Sequence, residues 1–189
     1  MRPLCKLGIL LAGLGLPVMA LAVGGWDPAK KQTETTKQQK AVNPKVAQAI
    51  ADFKNHDPSI KRFFDNAYGY TVFPTVAKGG IGIGGAYGEG EVYERGGFVG
   101  TASLTQVTIG FQLGGQAYSE IVFFKDKKTI DDFKKGNFEL SAQASAVAAT
   151  AGAAANADYD KGVAVFTYIK GGLMYEASVG GQKFSFTPK

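Results

Sequence analysis

The residues that most resemble a reactive site are alternating glycines, Gly80, Gly82, Gly84 and Gly85, separated by isoleucines. The run fits G-x-G-x-x-G, in which glycines let the backbone approach the pyrophosphate of a dinucleotide. Such a site needs a strand before the run and a helix after it, so that the phosphate meets the helix N-terminus. Residues 87–93 have the pattern of a strand or turn, which argues against a dinucleotide site.

Other groups with catalytic potential are few. One His and one Cys in 189 residues exclude a Cys/His zinc site and an internal disulfide. His56 ends a predicted helix, and without a nucleophile motif it is interpreted as a solvated cap. Glu89, Glu91 and Glu94 lack EF-hand spacing, which favours a solvated hairpin tip over a cation site. We therefore expect no enzyme activity, no metal and no cofactor.

The glycine run is better explained as a strand with one bare face. Gly80, Gly82 and Gly84 would point one way while Ile81 and Ile83 point the other. Bare backbone weakens a strand, so an aromatic ring, a helix or a ligand chain is expected close against it. Close internal packing is the favoured interpretation of the three.

The elements around this run divide into helices and strands. Asn43 and Pro44 are typical of a helix start, and apolar spacing predicts helices over 44–56 and 58–67. A further helix is expected near 125–135, and residues 138–149 are interpreted as a strand. Alternating patterns predict strands at 68–74 (closed by Pro74), 107–113, 118–124, 162–169, 173–179 and 182–186, the last three separated by Gly-Gly turns. The predicted fold class is α+β, mostly antiparallel β, as a Gly-rich strongly curved sheet or barrel-like sandwich.

The N-terminus has the pattern of an export signal. Arg2 and Lys6 precede an apolar run, Pro17 interrupts it, and Ala20 and Ala22 place small residues at the cleavage positions. We predict a signal peptide over residues 1–22, cleaved after Ala22, a flexible polar leader over 23–43 and one domain over 44–189. The protein is then periplasmic or extracellular, and Cys5 leaves with the signal.

The net charge of +5 is concentrated near the start of the chain. Residues 23–65 hold 8 Lys and Arg against 5 Asp and Glu, whereas residues 66–189 hold 11 of each. Basic residues beside phenylalanines suit an anionic membrane surface, although the phenylalanines could equally pack in the core. Nucleic acid is not expected at this charge density. The candidate lipid-binding residues are Lys45, Lys54, Lys61, Arg62, Phe63, Lys78, Gly80, Gly82 and Gly84.

A longer motif indicates a family. Residues 67–85, AYGYTVFPTVAKGGIGIGG, are followed by Gly110-Phe111-Gln112 and by Lys170-Gly171-Gly172-Leu173. Over about residues 45–187 this order resembles the SYLF-domain family, in its secreted bacterial branch. The resemblance implies lipid binding and, in eukaryotic members, an actin association that does not transfer simply to an exported protein.

These observations leave three classes of function open. The first is a secreted or periplasmic module that binds anionic phospholipid or a membrane surface. The second is a small outer-membrane β-barrel, for which residues 105–113 would suit a lipid-facing strand. The third is a structural or protein-interaction module of the envelope, with an unknown protein partner.

Overall fold

The structure, a computed structural model, describes residues 43–136, 139–140, 147–148 and 151–189. The predicted signal peptide and the predicted leader, apart from Asn43, lie outside the described residues.

Helices begin the described chain, as the sequence predicts. Helix α1 spans Pro44–His56, and the side chain of Asn43 caps it by accepting a hydrogen bond from the backbone N–H of Lys45 at 3.0 Å. A 3₁₀ turn over Pro58–Ile60 leads into α2, Lys61–Asn66. The buried residues of this segment are Val46, Ala49, Phe53, Asp57, Ile60 and Phe63.

Three long strands form most of the sheet: β1 over Gly69–Glu94, β2 over Gly97–Phe124 and β5 over Val163–Pro188. Two short strands, β3 over Glu139–Leu140 and β4 over Val147–Ala148, pair with β5. The order is β1-β2-β5-β3, with β4 also on β5, and among the described residues the sheet does not close on itself. The predicted α+β class with mostly antiparallel pairing is confirmed.

The strand ends predicted inside this sheet are wrong. Pro74 does not end a strand, because it lies at an irregularity in the pairing of edge strand β1, where a missing N–H is tolerated. The Gly-Gly pairs at 171–172 and 180–181 are not hairpin turns either, since β5 runs through both. The predicted strands at 107–113 and 118–124 likewise belong to one strand, β2.

The three long strands form a ribbon that folds back on itself. At about 3.3 Å per residue, 26 residues in β1 would extend roughly 85 Å, far beyond the size of such a domain. Instead the two ends of β1 meet: the backbone N–H of Arg95 donates to the carbonyl of Tyr68 at 2.9 Å, and the Thr71 hydroxyl donates to the carbonyl of Glu91 at 3.2 Å. We name residues 69–78, 116–124 and 163–171 the first layer, residues 86–94, 97–106 and 182–188 the second layer, and the segments between them the bend.

Glycines at the bend and in the second layer allow this close return. A Cβ on Gly80 would overlap the backbone of Ile83 and Gly84, and a Cβ on Gly90 would overlap the carbonyl of Val72. Side chains at these positions would therefore push the two layers apart.

Two apolar cores result. One lies between the layers and includes Phe73, Leu104, Phe124 and Phe184. The other lies on the outer face of the first layer, where α1 and α2 pack on residues such as Phe123. The first layer is thus buried on both faces, which is why its strands are nearly continuously apolar.

The predicted helix near 125–135 is confirmed as α3, Lys127–Lys134. Its Ile130 and Phe133 belong to the core between the layers, and Gly136 follows with a φ of 74°. The strand predicted over 138–149 is confirmed only at β3 and β4, and its other residues lie outside the described ones. Helix α4, Ala153–Asn156, precedes β5.

Candidate functional site

The bend carries a group of large aliphatic side chains exposed to solvent. Their exposed fractions range from 52% for Leu113 to 81% for Ile81. Ile81 pairs with Leu113 and Ile83 pairs with Ile109 across β1 and β2, so these side chains are direct neighbours. Adjacent apolar side chains at this exposure mark an interaction surface more strongly than scattered ones. We name this surface the apolar crest; its residues are Ile81, Ile83, Val107, Ile109 and Leu113.

An irregular pairing brings these residues to one face. Ile81 and Ile83 are two positions apart on β1, whereas their partners Leu113 and Ile109 are four positions apart on β2. The strand β2 therefore holds two extra residues, and β1 turns opposite them at Gly82, whose φ is 73°. Because both spacings are even, the isoleucines and leucine stay on the outward face.

A buried amide occupies the inward side of the same irregularity. The Nε2 of Gln112 donates to the carbonyl oxygens of Gly82 and Thr108, both at 3.1 Å, and its Oε1 accepts from the Thr108 hydroxyl at 2.7 Å. A Cβ on Gly84 would overlap that Oε1. We name Thr108, Gln112, Gly82 and Gly84 the amide bracket.

Charged residues lie only at the margin of the crest, and they are of both signs. Residues 79–88 of β1 and 105–119 of β2 contain no charged residue at all. The β1 stretch lies between Lys78, which is half-buried, and Glu89, which is exposed. On β5, Lys170 is exposed, and its Nζ lies 3.4 Å from the Thr75 hydroxyl. Glu176 is the acidic residue in the corresponding stretch of β5. An apolar surface with lysines at its margin results.

The predicted basic residues of the helices lie elsewhere. Helices α1 and α2 pack on the part of β1 around Val72, nine residues or roughly 30 Å along the strand from Ile81. Lys45, Lys54, Lys61 and Arg62 are all exposed. The structure therefore does not bring them together with Gly80, Gly82 and Gly84.

Several of these basic side chains have partners within the protein. The ammonium of Lys54 lies 4.5 Å from the ring centre of Phe64. Lys61 pairs with Asp65, and the guanidinium of Arg62 donates to the carbonyl of Ala157. Such contacts reduce what these cations could gain from another anion.

Phe63 belongs to the core, so its interpretation as a lipid contact is wrong. Its side chain is 3% exposed and contacts Phe123, Tyr159 and Phe166, with ring centres 4.9–5.4 Å apart. A single amphipathic pattern cannot distinguish a ring that faces the protein from one that faces a membrane.

The glycines have three different surroundings. Gly84 lies against the Gln112 amide and Gly80 against the backbone of residues 83–84, which confirms close internal packing at both positions. Gly82 is exposed and has open space where a side chain would be, and a left-handed φ accounts for it. The protein itself therefore fills the bare face at Gly80 and Gly84 but not at Gly82.

The acidic cluster is not a single solvated tip. The carboxylate of Glu91 is buried and accepts from the Tyr93 hydroxyl at 2.6 Å, while Glu94 pairs with Lys134 at 2.7 Å. Within the described ranges there is no group of His, Cys, Asp and Glu that could hold a metal ion. His56 stacks on Tyr168, with ring centres 4.3 Å apart.

Sequence reasoning missed one buried acid, Glu120, in the first layer. Its Oε2 accepts from Gln182 of the second layer at 3.0 Å, and its Oε1 has no hydrogen-bond partner. Burial raises the pKa of Glu120 to about 7, although the Gln182 bond opposes the shift. The signal available was a single carboxyl inside the apolar run SEIVFF.

Fold and surface together define a β-rich α+β domain with an exposed apolar bend. The structure's helices, over the residues it describes, are each too short or too polar to cross a bilayer. Residues 105–188 match the family model Ysc84, described as Las17-binding protein actin regulator. Over these residues the resemblance to the SYLF family is thereby confirmed.

A curated relative agrees with this assignment. The chain is 28% identical over 145 residues to Beta cell expansion factor A of Aeromonas veronii. The aligned region covers 76% of this chain and 55% of the relative. The chain thus spans about half the length of the relative that it matches. Both descriptions name a regulator or a factor, and they support a binding module as the class of protein.

Proposed function

We propose that the protein is a non-catalytic module of the cell envelope that binds anionic membrane surfaces through the apolar crest. The observation that carries the proposal is the exposure of adjacent aliphatic side chains at the bend, from 52% to 81%. Burying aliphatic surface is favourable by about 25 cal/mol per Å², so these side chains gain free energy on entering the acyl region.

The surrounding charges favour a membrane over a purely apolar partner. Lys78 and Lys170 stand at the margin of the crest, where they would meet headgroup phosphates while the isoleucines enter the bilayer. Each basic residue near an anionic surface contributes about 1 kcal/mol. The exported location, with cleavage after Ala22, is part of the same proposal, and the anionic lipid would be one of a bacterial envelope.

A vesicle-binding experiment tests the crest directly. The variant Ile83→Asp with Ile109→Asp places two charges among the crest side chains, and sedimentation with phosphatidylglycerol-containing vesicles measures binding. We expect at least about tenfold weaker binding, because each isoleucine loses roughly 1.5–3 kcal/mol of transfer free energy. Because the two aspartates face each other across β1 and β2, they lower stability somewhat, and binding is measured well below the unfolding midpoint of the variant.

The matched control adds the same two charges on α1. Ala47→Asp with Asn55→Asp alters exposed positions of the helix and leaves the crest intact. An equal loss of binding in this control would attribute the effect to net charge and refute the role of the apolar crest in membrane binding. A second comparison replaces Lys54, Lys61 and Arg62 with alanine; if that variant alone loses binding, the basic helices carry it instead.

A further inference from the structure

The motif Gly110-Phe111-Gln112 contains a polar residue that membrane binding does not by itself explain. Gln112 is 2% exposed, lies in the strand that carries most of the crest, and points inward while Ile109 and Leu113 point outward. Burying an amide is costly unless its donors and acceptor are satisfied. In Gln112 both Nε2 hydrogens and Oε1 have partners, so the site is built around this side chain.

The partners of the amide lie at the irregular pairing: Gly82 has no paired position on β2, and Thr108 lies next to the interruption, opposite Gly84. Where β2 carries two extra residues, the regular exchange of hydrogen bonds with β1 is interrupted between Ile81 and Ile83. The carbonyl oxygens of Gly82 and Thr108 receive their hydrogen bonds from Gln112. Gly84 leaves the space that the amide oxygen occupies.

We propose that Gln112 is a positioning residue that holds the bend in the conformation presenting the apolar crest, so that membrane insertion depends on the amide bracket. Without the amide, the carbonyl groups of Gly82 and Thr108 each lose a donor, and the extra residues of β2 rearrange. The pairs Ile81–Leu113 and Ile83–Ile109 then separate, and the contiguous apolar surface is lost. This inference rests on the proposed membrane binding.

Fluorescence at the crest measures insertion. The background variant Trp26→Phe removes the sole native tryptophan. In this background Ile83→Trp places an indole in the apolar crest. Phosphatidylglycerol vesicles with brominated acyl chains quench that indole when it enters the bilayer. Gln112→Met keeps the length of the side chain but cannot hydrogen-bond, and Gln112→Glu accepts but, when ionised, cannot donate. We expect both variants to need at least about tenfold more lipid to reach half-maximal quenching in vesicle titrations.

The measurement is made well below each variant's unfolding midpoint, with far-UV circular dichroism confirming the fold. A purely structural role for Gln112 would lower the midpoint and leave the quenching of the folded protein unchanged. That result would overturn the proposal. If the indole of the Ile83→Trp reporter is not quenched even when Gln112 is unchanged, the proposed membrane binding and the positioning role both fail.

A second comparison tests the bracket without lipid. Gly84→Ala places a Cβ where Oε1 of Gln112 lies, so it should lower the unfolding midpoint strongly in the natural background. In a Gln112→Ala background the amide is gone and the Thr108 hydroxyl, 2.9 Å from the added Cβ, remains, so the same substitution should cost markedly less. Equal costs in the two backgrounds would show that the bracket does not form, whatever the vesicles show.

Discussion

Glu120 is a buried acid of the first layer that contacts the second layer through a hydrogen bond. Its carboxyl is fully buried in an otherwise apolar setting, with one oxygen bonded to Gln182 and the other unpaired. A neutral carboxyl can be accommodated there far more easily than a carboxylate. Protonation of Glu120 therefore affects the contact between the layers.

We predict that the protein loses stability as pH rises from about 4.5 to about 7. Below the ordinary pKa of 4.5 both folded and unfolded states hold the proton, whereas between that value and the raised pKa of about 7 only the folded state does. The free energy of unfolding then falls with pH, by up to about 3 kcal/mol for this group. Denaturant titrations at several pH values measure the effect.

Glu120→Gln is the matched variant, since a glutamine carbonyl can still accept from Gln182. It should remove this pH dependence and be more stable than the natural chain at pH 8. An unchanged slope between pH 4.5 and 7 would assign the dependence to other carboxyls.

Among the elements, α4 is tied to the N-terminal helices by one carboxylate. Asp57 accepts hydrogen bonds from the backbone N–H groups of Ser59, Gly152 and Ala154 and from the Ser59 hydroxyl. Burial opposes the charge, yet these bonds together hold the pKa of Asp57 below its usual range. The carboxylate thus joins two segments nearly a hundred residues apart.

Asp57→Ala should destabilise the protein by about 1–3 kcal/mol, because buried backbone donors lose their acceptor. Chemical denaturation measures the change. The control is Asp65→Ala, which removes the exposed i,i+4 ion pair with Lys61 and should cost less than about 0.5 kcal/mol. Comparable losses in the two variants would contradict the role assigned to Asp57.

Sequence periodicity predicted which residues form helices and strands better than where strands end. The caps at Asn43 and Gly136 are local signals, and the structure bears them out. Gly-Gly pairs usually indicate turns, but here the glycines of the three strands lie within one or two positions of each other across the sheet: Gly79 pairs with Gly115, and Gly172 pairs with Gln116, the residue after Gly115. Only that alignment across strands turns three apparent breaks into one bend.

The sequence also predicted only part of the candidate site, because its contacts join strands that are distant in sequence. The sequence locates a glycine run with isoleucines beside it, and Gly84 does make room for a neighbour. It does not reveal that the isoleucines stay exposed, because an aliphatic alternation normally faces a core. Nor does it reveal the pairing of Gln112 with Gly82, which lies 30 positions away.

At the scale of the molecule, stability depends on the core between the layers. Phe184 of the second layer is 3% exposed, and its ring lies 5.7 Å from that of Phe73 and 5.5 Å from that of Phe133, centre to centre. It therefore joins both layers and α3.

Phe184→Ala should lower the free energy of unfolding by about 3–5 kcal/mol, as expected for a large buried ring. Phe186→Ala, a half-buried neighbour on the same strand, is the comparison and should cost less. Equal effects by denaturant titration would place the main contact between the layers elsewhere.

The continuity of the three strands also affects how the chain reaches its native state. The β1–β2 hairpin forms locally at the tight turn of Arg95 and Gly96, but β5 must align with β2 from Phe124–Val163 to Gly100–Pro188. Such distant pairings fold slowly, on the order of milliseconds to seconds. A slip of one position would exchange the two faces, turning Gln112 outward and the crest inward. The irregularity at Gly82 and Gln112 fits only one alignment of β1 with β2, so a β1–β2 hairpin that has slipped by one position cannot form the amide bracket.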